Sequence, residues 1–135
     1  MDSTGRKKQI LVVDDDEIQL SFVDVILNSE YDVVLAASGG RALELLAGGL
    51  LPDLVLLDVL MPGMDGFETY AQMRAMSEAR SVPVIFLTSV NTSEEIRKAL
   101  KLGAADYITK PYIMENIKNR VRNAIHLYGY KKEDG

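Results

Sequence analysis

Cysteine is absent from this 135-residue chain, which excludes disulfides, thiolate-bound zinc and cysteine nucleophiles. Histidine occurs once, as His126, and its place near the end of the last helical stretch reads as a surface position rather than a phosphodonor or a ligand. No apolar run approaches the ~20 residues that a membrane span needs. Met1 to Lys8 lacks the apolar centre of a secretory signal. An excess of positive charge is missing too, and the net charge of −5 argues against direct nucleic-acid binding. Neither internal repeats nor low-complexity segments occur. What is present is a balance of 47% apolar and 26% charged residues, enough in 135 residues to bury one core without a crosslink or structural metal. A cytoplasmic location fits these features.

The chain is organised around Asp53 to Gly66. Leu54-Val55-Leu56-Leu57 is apolar without alternation, as in a strand buried on both faces, and it stops on a carboxylate. Pro62, Gly63 and Gly66 then enforce a loop. Ile10-Leu11-Val12-Val13 is a similar run that stops at Asp14-Asp15-Asp16-Glu17, acids suited to a helix N-terminus. Leu20, Val23 and Leu27, flanked by Phe22 and Ile26, carry the helical period that follows.

Further strands are expected at Tyr31 to Ala37, Val84 to Leu87 and Ala105 to Thr109, the last less apolar and therefore an edge. Ser38 offers an N-cap to a helix from Arg41 to Ala47 that Gly48-Gly49 ends. Asp65 with Glu68, and Thr92 with Glu95, have capping-box spacing. The second of these opens a helix through Ile96, Ala99 and Leu100, closed by Gly103. Ile113 or Met114, Ile117, Val121 and Ile125 mark a last amphipathic helix, and from Gly129 the chain turns polar, as in a frayed tail or linker. Strand and helix alternate five times, the signature of an α/β domain with a parallel sheet, right-handed crossovers and helices on both faces.

In such a sheet the carboxyl ends of the strands share one edge, where open α/β folds place their chemistry. Asp14 and Asp15, Asp58, Thr88 and Lys110 all stand there. Singly each has a plain explanation as a helix acid, a cap or a solvated turn residue; together they form a constellation. Crowded carboxylates repel by ~4 kcal/mol per close pair at an effective dielectric of 20, so a cation must hold them. Magnesium suits, because it takes oxygen ligands and keeps waters that a phosphate can displace. A carboxylate can itself be the nucleophile, a lysine can pair with phosphate oxygens and a threonine hydroxyl can donate to them.

On four motifs the chain resembles the receiver domains of bacterial two-component response regulators. They are Ile10-Leu11-Val12-Val13-Asp14-Asp15, the run from Leu56 through Asp58 to Gly66, Val84 to Ser89, and Gly103 to Pro111. The resemblance implies a flavodoxin-like (βα)5 fold with strand order 2-1-3-4-5. It also implies that Asp58 is the phosphoacceptor, that Asp15 ligates Mg2+ (or Mn2+) directly and Asp14 mainly through water, and that the Leu60 backbone carbonyl completes the protein's share of the shell. Lys110 would pair with the phosphoryl group, with a cis peptide before Pro111 aiming it inward. Ser89 leaves that group room. Thr88 and Tyr107 would form the switch, and Asp16 has no role beyond the first helical turn.

The implied partner is a sensor histidine kinase or a histidine phosphotransfer protein. The implied output face runs from Thr92 to Leu127, open to an output domain, a partner protein or a homodimer. Such a domain is a signalling module that promotes its own phosphorylation and dephosphorylation, with no membrane attachment. It is placed at residues 8–127, with tails at 1–7 and 128–135, the latter a C-terminal tail or a truncated linker.

Leu60 and Val90 are apolar where some fast-hydrolysing receivers carry polar groups, which predicts slow loss of the phosphoryl group. A haloacid-dehalogenase-type phosphatase would need a second aspartate where Leu60 stands. An FMN site would not tolerate the acids after Val13 unless a metal intervened. A pseudo-receiver would lack one of the key residues, and all are here. The basic residues Lys118, Arg120, Arg122, Lys131 and Lys132 read as a solvated helix face.

Overall fold

The computed structural model describes residues 7–89 and 93–134, with side chains through residue 128. Val90 and Thr92, and with Thr92 the expected second capping box, lie outside the described residues. Strands β1 (Gln9–Val13), β2 (Asp32–Ala36), β3 (Leu54–Asp58), β4 (Val84–Thr88) and β5 (Asp106–Thr109) alternate with helices α1 (Glu17–Leu27), α2 (Gly39–Ala47), α3 (Gly66–Arg74), α4 (Ser93–Lys101) and α5 (Met114–Asp134). All strand pairs are parallel and the order is β2-β1-β3-β4-β5, which puts the less apolar β5 at an edge as expected.

Helix starts follow the local chemistry. The Asp16 side chain accepts from the backbone N–H groups of Ile18 and Gln19. Ser38 accepts from Arg41, and Asp65 with Glu68 forms a reciprocal capping box. Asp16 is thus the cap just before the first turn. The last helix runs on to Asp134, past Gly129 where a frayed end was expected. One glycine costs only about 1 kcal/mol in a helix, and lysines and glutamate are good helix formers.

Residues alternate across the central strands and build two cores, one on each face. Ile10, Val12, Leu54, Leu56, Ile85, Leu87 and Ile108 pack with Leu20, Val23, Ile26 and Leu27 of α1 and Ile117, Val121 and Ala124 of α5. Leu11, Val13, Val55, Leu57, Val84 and Phe86 pack with residues of α2, α3 and α4 on the other face. Of the apolar residues read into α4, Ala99 is buried but Leu100 is exposed, because this short helix meets the sheet along a narrow stripe.

Candidate functional site

The period of two that sorts the core also sorts the polar residues beyond it. Asp14 is two residues past Val12, Asp58 two past Leu56 and Lys110 two past Ile108, so all three belong to the α1/α5 face at the carboxyl edge. Thr88 follows Phe86 by two and joins Tyr107 on the α4 face. The order β1-β3-β4 lays the relevant strand ends side by side.

Asp14 and Asp58 are only 1% and 2% exposed, depths at which carboxylates rarely lie without a partner. Lys110 bridges them, with Nζ 3.4 Å from Asp14 Oδ2 and 3.3 Å from Asp58 Oδ1. Its peptide bond to Pro111 is cis, as the resemblance implied. Asp15 is exposed, yet one carboxylate oxygen from each of Asp14, Asp15 and Asp58 lies within 4.8 Å of the others. Asp14 Oδ1 accepts from the Asp16 N–H at 3.0 Å, whereas the buried Oδ2 accepts no hydrogen bond among the described residues. Three acids facing the Lys110 ammonium, with Asp14 Oδ2 ion-paired to it but accepting no well-formed hydrogen bond among the described residues, fit a small hard cation.

Burial and the neighbouring Asp14 raise the Asp58 carboxyl from the usual 3.8 to about 7, against the opposing pull of Lys110. In the metal-free protein the folded state therefore holds this proton more tightly than the unfolded chain does. Stability is expected to fall as pH rises from about 4 to about 7, by up to about 4 kcal/mol from this group, and then to level off. Urea midpoints measured in a chelator across that range check it. Asp58→Asn should flatten the slope, and an equally steep slope in the variant would refute the assignment.

Thr88 is buried and lines a cavity of about 10 Å³ with Val59, Phe67, Phe86 and Tyr107. Tyr107 is half-buried, and the Arg120 guanidinium lies 5.8 Å from its ring centre while ion-pairing Asp106 at 2.7 Å. The Leu60 side chain is exposed, two residues past Asp58. The loop between Asp58 and α3 is tied down by two backbone bonds of 2.9 Å, Val59 N–H to Leu87 carbonyl and Gly66 N–H to Val59 carbonyl. His126 is exposed, as expected.

Two features escaped the sequence reading. Exposed apolar residues follow the site residues at the ends of β1, β3 and β5: Ile18 after the acids, Leu60 after Asp58, and Ile113 and Met114 after Lys110. With Phe22 and Val25, Ile18 continues this surface along α1. Tyr112 is the second feature, its ring 6.4 Å from that of Phe22 and nearly parallel to it. Its place two residues past Lys110 was the available signal, but an aromatic there reads as ordinary core.

A parallel α/β sheet with a cation-ready acidic edge defines the class of fold, and comparison with known proteins makes it specific. Residues 10–122 match the family model of the response regulator receiver domain, so the chain belongs to that family. It is a phosphoacceptor signalling domain of the two-component type, with the flavodoxin-like architecture its motifs implied. It is 38% identical over 125 residues to a probable cyclic di-GMP phosphodiesterase of Vibrio cholerae, covering 93% of this chain and 28% of that protein. Response regulator PleD of Caulobacter vibrioides is 36% identical over 115 residues, covering 85% of this chain and 25% of PleD. The chain thus spans about a quarter of the length of these relatives.

A putative response regulator from Chloroflexus aurantiacus superposes with a TM-score of 0.83 at 30% identity, covering 90% of this chain and 99% of that one. The receiver domain of the sensor histidine kinase PA1611 from Pseudomonas aeruginosa, solved with magnesium in its active-site cleft, gives a TM-score of 0.79 at 30% identity, covering 89% of this chain and 98% of that one.

Proposed function

We propose that Asp58 accepts a phosphoryl group from a phosphohistidine, with magnesium (or manganese) held by Asp14, Asp15, Asp58 and the Leu60 carbonyl. The observation that carries this is the bridging of two buried carboxylates by Lys110, with a third carboxylate beside them. A bound divalent ion would neutralise the acids and the phosphoryl oxygens. Asp58 supplies the attacking oxygen, in line with the P–N bond that breaks, and the Lys110 ammonium stabilises charge on the equatorial oxygens. The product is a mixed anhydride on Asp58.

Thr88 would then turn toward the new phosphoryl oxygens, and Tyr107 would move into the space it leaves in their shared cavity. The result is a shift of an existing equilibrium, read on the face formed by α4, β5 and α5. Arg120, which touches both Asp106 and the Tyr107 ring, links the switch to α5. Ser93, Ile96, Arg97, Leu100 and Lys101 form an open groove beside Tyr107 that suits a partner protein, an output domain or a second copy.

The donor, a sensor histidine kinase or a histidine phosphotransfer protein, would seat on the exposed apolar residues Ile18, Phe22, Leu60, Ile113 and Met114, which follow Asp15, Asp58 and Lys110 in the chain. We place the domain at residues 8–127, acting in the cytoplasm. Incubation with a small-molecule phosphodonor and magnesium, followed by mass measurement, tests the assignment. The wild type should gain one phosphoryl group and Asp58→Asn none; equal gain by both would remove Asp58 from its role.

A further inference from the structure

Among the described residues, two buried side-chain oxygens have no hydrogen-bond partner, Asp14 Oδ2 and the Tyr112 hydroxyl. Tyr112 is 9% exposed, and a phenol hidden that deeply normally finds a partner, since phenylalanine would fill the same space without an orphaned donor. Its ring is fixed from two sides. Phe22 stacks on it at 6.4 Å, and Lys110 Nζ, the same atom that bridges Asp14 and Asp58, lies 5.9 Å from its centre. The charges that bear on the hydroxyl are those of Asp14, Asp58 and Asp16, in that order after burial itself. Sharing Lys110 Nζ with Asp14 and Asp58 sets the Tyr112 ring beside the acids, while its apolar body joins the α1/α5 core.

We propose that the Tyr112 hydroxyl is a positioning group for the cation site, donating a hydrogen bond to a water held between it and Asp14. The inference rests on the reading of Asp14, Asp15 and Asp58 as the cation site. Asp14 and Tyr112 do not bond to each other, yet a water would supply what neither has among the described residues: a well-aligned donor for Asp14 Oδ2, which has only the Lys110 ion pair, and an acceptor for the phenol. A magnesium ion keeps several of its waters, and groups that orient such an outer layer tune affinity without touching the metal. Burial and the three carboxylates push the phenol's ionisation well above its ordinary range, so it stays a donor throughout neutral pH. Tyr112 touches neither phosphorus nor cation in this arrangement; it acts through Asp14 and the shared water.

The test compares the full chain with Tyr112→Phe by calorimetric magnesium titration, by thermal melting in a chelator and by ultraviolet difference spectra on adding magnesium. The variant is expected to bind magnesium about tenfold more weakly. Without metal it should melt at the same temperature or higher, because the orphaned hydroxyl is gone. The wild type should show a magnesium-induced tyrosine difference signal that the variant lacks. Equal magnesium affinity in the two proteins would overturn the inference, and so would a lower melting point with unchanged affinity, which marks Tyr112 as core packing alone. Asp15→Asn serves as the reference: should it bind magnesium as tightly as the wild type, the reading of the acidic site itself fails, whatever Tyr112→Phe does.

Discussion

Gly66→Ala is expected to destabilise the protein by about 3 kcal/mol, lowering its melting temperature by about 10 °C. A Cβ at Gly66 would overlap the Asp58 carbonyl oxygen and stand 2.8 Å from Val59 Cα and 3.0 Å from the Asp58 carbonyl carbon. All three are backbone atoms, so no side chain can swing aside to make room. Nor can the loop back away cheaply, since the Gly66 N–H bonds the Val59 carbonyl and the Val59 N–H bonds the Leu87 carbonyl, each at 2.9 Å. Relief requires α3 to shift or the end of β3 to move, and β3 ends on Asp58. The variant should therefore lose magnesium affinity along with stability. Denaturation curves and magnesium titration read both, and a loss below 1 kcal/mol would show that the loop yields.

Removing the ammonium should separate two properties that usually fall together. Lys110→Met is expected to slow phosphoryl transfer from a small phosphodonor by about 10²- to 10³-fold, because a fixed charge at the developing oxyanions is lost. Magnesium binding should instead tighten, since Lys110 Nζ sits 3.3 Å from Asp58 and 3.4 Å from Asp14 and competes with any cation those acids hold. Without metal the variant leaves two buried carboxylates unpaired, a change that typically costs 3–5 kcal/mol near neutral pH. Loss of the Lys110 pull raises the Asp58 carboxyl further, so its protonation relieves part of this already near neutral pH. Rates by mass measurement and affinities by calorimetry decide the matter. If magnesium binding weakens as well, Lys110 is holding the loop in place rather than supplying charge.

Much of this molecule could be read from residue order. Unbroken apolar runs ending on acids placed β1 and β3, and caps at Ser38 and Asp65 placed two helix starts, because these signals are local. Strand order is not local. It came with the family resemblance, and only that order brings Asp14 and Asp58 within reach of one lysine. What stayed hidden depends on which side of a helix or loop finds no neighbour. Leu20 and Val23 are buried while Ile18 and Val25 are exposed, and their residue types are too alike to separate by hydrophobicity. Tyr112 stayed hidden for a different reason: its ring satisfies the pattern of a core residue, and only the coordinates reveal the stranded oxygen.

The sheet is also a partition. Five strands of paired backbone separate the side chains facing α1 and α5 from those facing α2, α3 and α4. Within each compartment the side chains are close-packed, so strain passes among neighbours on the same side of the wall. Asp58 stands where the wall ends, with Lys110 and Tyr112 on one side and Thr88 and Tyr107 on the other. A charge placed at that doorway is heard in both rooms at once.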